Sequence, residues 1–337
     1  MNTDNKGIED TLQKKYDKIE RVPPKGYDCA NDFFEDVFND KEMIWMGQNT
    51  NHLHDDTIAK AMANCVMTKE YCKYPPPEGF SDLKQLILDD LGLENQEVFL
   101  TAGATESLHI CMNGLLNKSD NVITCDQGYL IIGTFAERFA DEVKYVPIYS
   151  EENNYKLTPE LVRENMDENT KMIILIDPLN PLGTAYTEEE IKEFAEIAIE
   201  VGLYLLHDIT YKDFVIQHFV AAKYAPKNTI TIYSFSKIFG MAGLRIGAVI
   251  STPEVNEVLK NVVVNDLGVN IVAQYGTMAG LKSKDQWIGE SRESSFSNQK
   301  LIKEMIDGID GVFLPVYPSD GNMMVIDLSG VGISPKK

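Results

Sequence analysis

Apolar runs alternate with amphipathic stretches through the middle of the chain. Seven short runs, EVFLTA, NVITC, EVKYVPI, KMIILID, GLYLLHD, TITIYSFS and RIGAVIS, are rich in β-branched and aromatic residues, the pattern of buried strands. The stretches between them carry helix-start signals. Thr158 before Pro159 predicts an N-cap with proline at the first helical position. TEEEIKEFAEIAIEV opens on the capping-box pair Thr187 and Glu190, then places Ile191, Phe194, Ala195 and Ala198 on one face. Strand–helix alternation of this kind predicts an α/β fold with three layers, α/β/α, around a mostly parallel sheet. The large domain is expected over residues 46–272. Residues 1–45 and 273–337 lack the alternation and are expected to form an N-terminal arm and a smaller domain. The final stretch, YPSDGNMMVIDLSGVGISPKK, reads as a strand leading into a helix that stops in mid-domain, as in a truncated chain.

Composition narrows the partners. The 337 residues carry 52 acids against 31 bases, a formal charge of −21. Nucleic acid and an anionic membrane surface both need a concentrated basic face, so neither is expected as a partner. An anionic small ligand is still compatible, given a pocket with its own cations. Cys29, Cys65, Cys72, Cys111 and Cys125 form neither a CxxC pair nor a metal spacing, which fits packed thiols in a reducing compartment. His52 and His54 in NHLHDD lack a second ligand cluster, and no metal is expected there. The polar N-terminus is no signal peptide, and runs such as MIILI are too short to cross a bilayer, so a cytoplasmic protein is expected.

In parallel sheets, ligands bind beyond the carboxyl ends of the strands, and four strand ends here carry polar groups. FLTAGATESLHI reads as strand, glycine turn and helix. Ala104 and Thr105 would present backbone N–H groups at a helix N-terminus, an anion cradle, although many such turns contain glycine. ILIDPLNPLGTAY sets Asn180 between prolines that stiffen its turn, as an ordinary turn also would. LYLLHDITYKDF ends an apolar strand on Asp208, with Tyr211 three residues on. A carboxylate there is costly unless it meets a cation or caps a helix, while His207 reads as a packed core histidine.

The fourth end, TIYSFSKIFGMAGLRIGAVI, places Lys237 after Ser234 and Ser236, with Arg245 among glycines Gly240, Gly243 and Gly247. A buried lysine shifts toward the neutral amine, a nucleophile that condenses with carbonyls. Hydroxyls and a guanidinium suit phosphate, and the glycines permit close backbone approach. An aldehyde carrying a phosphate, held by a lysine, satisfies all of these.

These residues resemble the pyridoxal-phosphate-dependent aminotransferases of fold type I, class I/II. SFSKIFGMAGLRIG is similar to that family's S-x-S-K…G-x-R-x-G signature. DPLNPLG is similar to its N-P-x-N-P-x-G turn, with Asp177 where Asn is commoner; DITY is similar to D-x-x-Y, and TAGATES to the phosphate turn. KYPPPEGFSDLKQLI and DNVITCDQGYL resemble two further segments and bring in Tyr74 and Tyr129. The six segments keep the family's order across roughly positions 40 to 330.

The resemblance implies pyridoxal 5'-phosphate as cofactor and an amino group moved from an L-amino acid to a 2-oxo acid through a Lys237 aldimine. It implies that Lys237 also shuttles the Cα proton, that Asp208 pairs with the pyridine nitrogen, and that Tyr211 and Asn180 bond the ring's phenolic oxygen. Tyr129 is implied to stack on the ring. Ala104, Thr105, Ser234, Ser236 and Arg245 are implied to hold the phosphate, with Tyr74 reaching in from a second subunit of a homodimer with shared active sites. The implied fold adds a smaller α+β domain. Gly47 and Asn49 fall where the family's N-terminal segment passes over the substrate, and Asn322 either faces substrate or caps a strand.

The family's arginine for the substrate α-carboxylate is not matched. After Arg245 the chain has only Arg292, in a helix-like stretch without a motif, and the expected region lies beyond Lys337. Two other readings keep parts of the pattern: a decarboxylase or β-lyase on the same fold, and a non-catalytic cofactor-binding regulator. The regulator would need a DNA-binding element, and the short acidic N-terminus offers no basic recognition helix.

Overall fold

A computed structural model describes residues 26–44, 46–53, 56–263, 265 and 267–332. All seven predicted strands form: β1 Glu97–Thr101, β2 Asn121–Asp126, β3 Glu142–Pro147, β4 Thr170–Ile176, β5 Tyr204–Asp208, β6 Thr229–Ser234 and β7 Gly247–Ser251. They make one sheet in the order β1-β7-β6-β5-β4-β2-β3. β7 runs antiparallel to both its neighbours, and the other pairs are parallel. Every residue of β6 and β7 is buried, in β6 including Thr229, Thr231 and Ser234 beside Ile230, Ile232 and Tyr233. β3, at the edge, is mostly accessible and carries Lys144 and Pro147, residues that discourage further pairing.

Side-chain alternation divides the core between the two faces of the sheet. Phe99, Ile230, Ile232 and Val249 pack with Leu108, Ile132 and Ile191 of the helices Ala104–Leu115, Leu130–Phe139 and Glu188–Val201. Val98, Leu100, Ala248 and Ile250 pack with Ile58, Leu83 and Ala273 of the helices Asp56–Met67, Ser81–Leu91 and Ile271–Lys282. The layers are therefore α/β/α. Both helix starts behave as read: Thr158 Oγ1 accepts from Leu161 N at 3.3 Å, and Thr187 with Glu190 closes a full capping box.

The strand expected near the end of the chain does not form. Residues 313–327 contribute a single bridge, Phe313 with Asp327, followed by the short turn Ser329–Val331. Among the described residues no strand lies in register with MMVIDL, so it has nothing there to extend. By contact the chain falls into two units, Met1–Gln48 and Asn49–Lys337, so the break lies near the expected arm, while residues 273–332 group with the sheet. In the first unit the described helix is Ala30–Asn39, which buries none of its side chains. Of the paired histidines in NHLHDD, His54 lies outside the described residues.

Candidate active site

The register gathers the strand ends. Gly247 opens β7 opposite Thr101 on one side and Ser234 on the other, and Asp208 ends β5 between Ile176 and Ile232. Thr101 leads through Gly103, at φ +87, into the Ala104–Leu115 helix. The first N–H groups of that helix, on Ala104 and Thr105, have no carbonyl before them in the helix, and they sit at its positive end. A Cβ on Gly247 would lie 2.7 Å from Ala104 N and 2.8 Å from Gly103 C, so only glycine lets β7 pass this close.

Arg245 lies over the same helix start. Its Nη1 donates to Ala242 O at 2.8 Å, Nη2 donates to Ala102 O at 3.4 Å, and a Cβ on Gly103 would meet Nη2 at 2.3 Å. Ser234 and Ser236 are buried at the end of β6, and Ser236 N donates to Ser234 Oγ at 3.3 Å. A guanidinium, a helix N-terminus and two hydroxyls converge, an arrangement suited to a phosphate-like anion.

Lys237 follows directly and is half-buried. Burial lowers its pKa, the Arg245 charge lowers it further, and Asp208 opposes both. The Asp208 carboxylate is 4% exposed and accepts from Thr210 N at 3.0 Å and Thr210 Oγ1 at 2.5 Å. Burial pushes it up to about 6, against the Thr210 bonds and the charge of Lys237. Asp208 therefore caps no helix: the turn that follows, Lys212–Phe214, is capped by Tyr211. The Tyr211 ring centroid lies 5.9 Å from Lys237 Nζ, and its hydroxyl accepts from Asn180 Nδ2 and Asn49 Nδ2, each at 3.4 Å. Burial raises the Tyr211 pKa, with the Asn49 bond working the other way, and Tyr129 is close enough to act on it. Half-buried Tyr129 begins the Leu130–Phe139 helix.

Ala104, Thr105, Tyr129, Asn180, Asp208, Tyr211, Ser234, Ser236, Lys237 and Arg245 thus share one edge of the sheet. Tyr74 stands apart: it is 79% exposed and lines a surface cavity of about 320 Å³ with Tyr71, Lys73 and Asn270. Arg292 is engaged elsewhere, its Nε donating to Asp213 O at 2.8 Å. Asn322 neither caps a strand nor bonds Tyr211; its Nδ2 donates to Asn49 O at 3.0 Å. His207 is fully buried, as read.

Two participants went unread in the sequence. Asn51 fastens the 49–53 segment onto the lysine loop: its N donates to Lys237 O at 3.1 Å and its Nδ2 to Ile238 O at 2.8 Å. Nothing local marks a bond between residues so far apart in the chain. Thr210 was legible in principle, since a hydroxyl residue two positions after an aspartate favours this turn.

Similarity to known proteins follows the same lines. The family model for aminotransferase class I and II matches residues 41–331. The aspartate aminotransferase of Pyrococcus horikoshii is 26% identical over 96% of this chain and 86% of its own length. The probable aspartate/prephenate aminotransferase of Aquifex aeolicus is 31% identical over 71% of this chain and 64% of its own. Among solved structures, the Thermus thermophilus aspartate aminotransferase with maleate superposes with a TM-score of 0.75 at 24% identity, over 85% of this chain and 77% of that one.

Proposed function

The chain belongs to the class I and II aminotransferases, and from that membership we propose that it moves an amino group from an L-amino acid to a 2-oxo acid with pyridoxal 5'-phosphate held at Lys237. The observation that carries the cofactor assignment is the setting of Lys237, a half-buried amine between Arg245 and Asp208 at the edge of the sheet.

The residues fit the cofactor at each end. Asp208 is a buried carboxylate whose hydrogen-bond partner is the neighbouring Thr210, so the protonated ring nitrogen would supply the cation that its burial calls for. The cradle of Ala104, Thr105, Ser234, Ser236 and Arg245 would take the phosphate; a Cβ at 247 would meet the Gly103–Ala104 backbone, and one at 103 would displace the Arg245 guanidinium. When bound, the cofactor supplies an electron sink conjugated to the substrate's Cα.

The chain's own groups do the rest. Lys237 would hold the cofactor and would move the proton at the substrate's Cα; its lowered pKa favours the amine form that this needs. Asp208 would keep a proton on the ring nitrogen, and near neutral pH it is mostly ionised and able to do so. Asn180, whose Nδ2 donates to the Tyr211 hydroxyl, and Tyr211 would hold the cofactor's phenolic oxygen, and Tyr129 would cover its ring. Tyr74 points outward, which supports a role at the partner subunit's site in a homodimer.

The test begins with colour. Purified protein loaded with pyridoxal phosphate should be yellow, borohydride should fix the cofactor on Lys237, and Lys237→Ala should be colourless. A Lys237→Ala protein with the wild-type spectrum would falsify the assignment. A panel of amino acids, with aspartate first, should bleach the band, and a 2-oxo acid should restore it. A band that returns by itself, with no 2-oxo acid added, would mark decarboxylation or elimination instead, because both leave the cofactor in its aldehyde form.

A further inference from the structure

One buried group of titratable side chains takes no part in the roles above. Asp177 follows β4, His207 lies in β5 one residue before Asp208, and His218 lies just beyond the Lys212–Phe214 turn. The Asp177 and His207 side chains are fully buried, and that of His218 is 8% exposed. His207 Nε2 is 3.1 Å from Asp177 Oδ2. His218 Nε2 is 2.9 Å from the same oxygen and 3.2 Å from Asp177 O. The two rings stack at 5.7 Å, and Tyr186 N donates to Asp177 Oδ1 at 3.2 Å.

The proton positions follow from the partners. Ala221 N donates to His207 Nδ1 at 3.2 Å, so that nitrogen keeps its lone pair and the ring proton sits on Nε2, facing Asp177. The two partners of His218 Nε2 are both Asp177 oxygens, so it donates as well. Three N–H groups therefore converge on one side chain that must accept from all of them. A carboxylate can; an asparagine amide would turn its NH₂ against one of them. This accounts for aspartate at 177. Burial works to raise its pKa, but His218 and His207 outweigh that and hold it well below the usual carboxylate range.

A metal ion is the other use for three such ligands, whose atoms lie within 4.8 Å of one another. To bind one through Nε2, His207 would have to carry its proton on Nδ1, against the Ala221 N–H. The hydrogen bonding rejects that arrangement.

The cluster is tied to the active site at the turn it supports. Asp177 N donates to Asp208 O at 2.8 Å, and Asn180, three residues on, reaches the Tyr211 hydroxyl. The far side of the turn is clamped by Asp320, whose N donates to Gly183 O at 2.6 Å and whose Oδ2 accepts from Ala185 N at 3.2 Å. The titratable and charged groups facing the cluster are Asp320, Lys156 with its partner Glu190, Tyr186 and Cys125.

We propose that Asp177, His207 and His218 form a buried positioning unit that fixes the turn carrying Asn180, and so sets how firmly the Asn180 amide is presented beside Tyr211. The proposal rests on the reading of Lys237, Asn180 and Tyr211 given above. None of the three touches the reacting atoms; they act through Asn180.

Two measurements test it. Imidazole nitrogen NMR of the ligand-free protein, assigned by single substitutions, should show both His207 and His218 carrying a proton on Nε2. In protein loaded with pyridoxal phosphate, Asp177→Asn should raise the pH midpoint of the visible band by roughly one pH unit, the scale of one donor withdrawn from a ring oxygen. His218→Leu should do the same, and it carries the test should Asp177→Asn not fold. His218→Gln, whose amide nitrogen replaces Nε2, should keep the wild-type midpoint. A His207 protonated on Nδ1, or an unmoved midpoint in His218→Leu, overturns the proposal alone. Wild-type protein that takes up no pyridoxal phosphate at Lys237 overturns the reading of the site, and the proposal with it.

Discussion

Asp208 sits where burial pushes its carboxyl up to about 6 from an ordinary 3.8, and that has a sign for stability. Between those two pH values the ligand-free folded protein keeps a proton that the unfolded chain has released. Stability contributed by this group is therefore whole below the lower value and falls as pH rises through the window. The swing is about 3 kcal/mol, at roughly 1.4 kcal/mol for each pH unit of the window. Asp208→Asn carries no such term. Ligand-free Asp208→Asn is expected to gain on wild type in thermal melts as pH rises from about 5 to 7.5, and the same variant loaded with pyridoxal phosphate should lose most transaminase activity. A gap that stays constant with pH would show that Asp208 is not desolvated. At Gly247 the strain is steric: Gly247→Ala sets a methyl carbon 2.7 Å from Ala104 N, so β7 or the helix start must move. Cofactor affinity measured by titration should fall at least about tenfold, the equivalent of roughly 1.4 kcal/mol of lost fit.

Among the elements, the Glu188–Val201 helix illustrates what the sequence makes plain. Its capping box, its acidic first turn and its buried stripe Ile191, Phe194, Ala195 and Ala198 are all local, and all were readable. Thr187→Ala should lower the unfolding free energy by about 1 kcal/mol in denaturant titration, the usual scale for a lost N-cap side chain. The strands were legible for a related reason: β-branched and aromatic residues are a local signal, and even the polar Thr229 and Thr231 of β6 are β-branched. The last expected strand failed because alternation says nothing about whether a partner strand exists. Likewise Asn51 was invisible, since its bonds to Lys237 O and Ile238 O join segments that no local rule connects. The Asp177 cluster was half visible: the odd aspartate could be seen, but not the two histidines that require it.

For the whole molecule, the question is assembly. Tyr74 is exposed, lies in a cavity with Tyr71 and Asn270, and is absent from the group around Lys237. If it completes a neighbour's phosphate site, Tyr74→Phe should weaken cofactor binding at concentrations where the protein is dimeric, and dilution into monomer should abolish the difference between mutant and wild type. Equal weakening at all concentrations would place the contact within one chain. The formal charge of −21 bears on this surface too, since two such chains must approach against their mutual repulsion, and added salt should favour the pair.

Because β7 runs opposite to β1 and β6, its first residue, not its last, meets their ends, and the loop before it brings Arg245 back over a helix made some 140 residues earlier. During synthesis the amino-terminal half of the anion cradle must wait, incomplete, until the ribosome has delivered its carboxyl-terminal half. A nascent chain shorter than this lacks half of the cradle, so a bound anion can stabilise the finished sheet but cannot guide its construction.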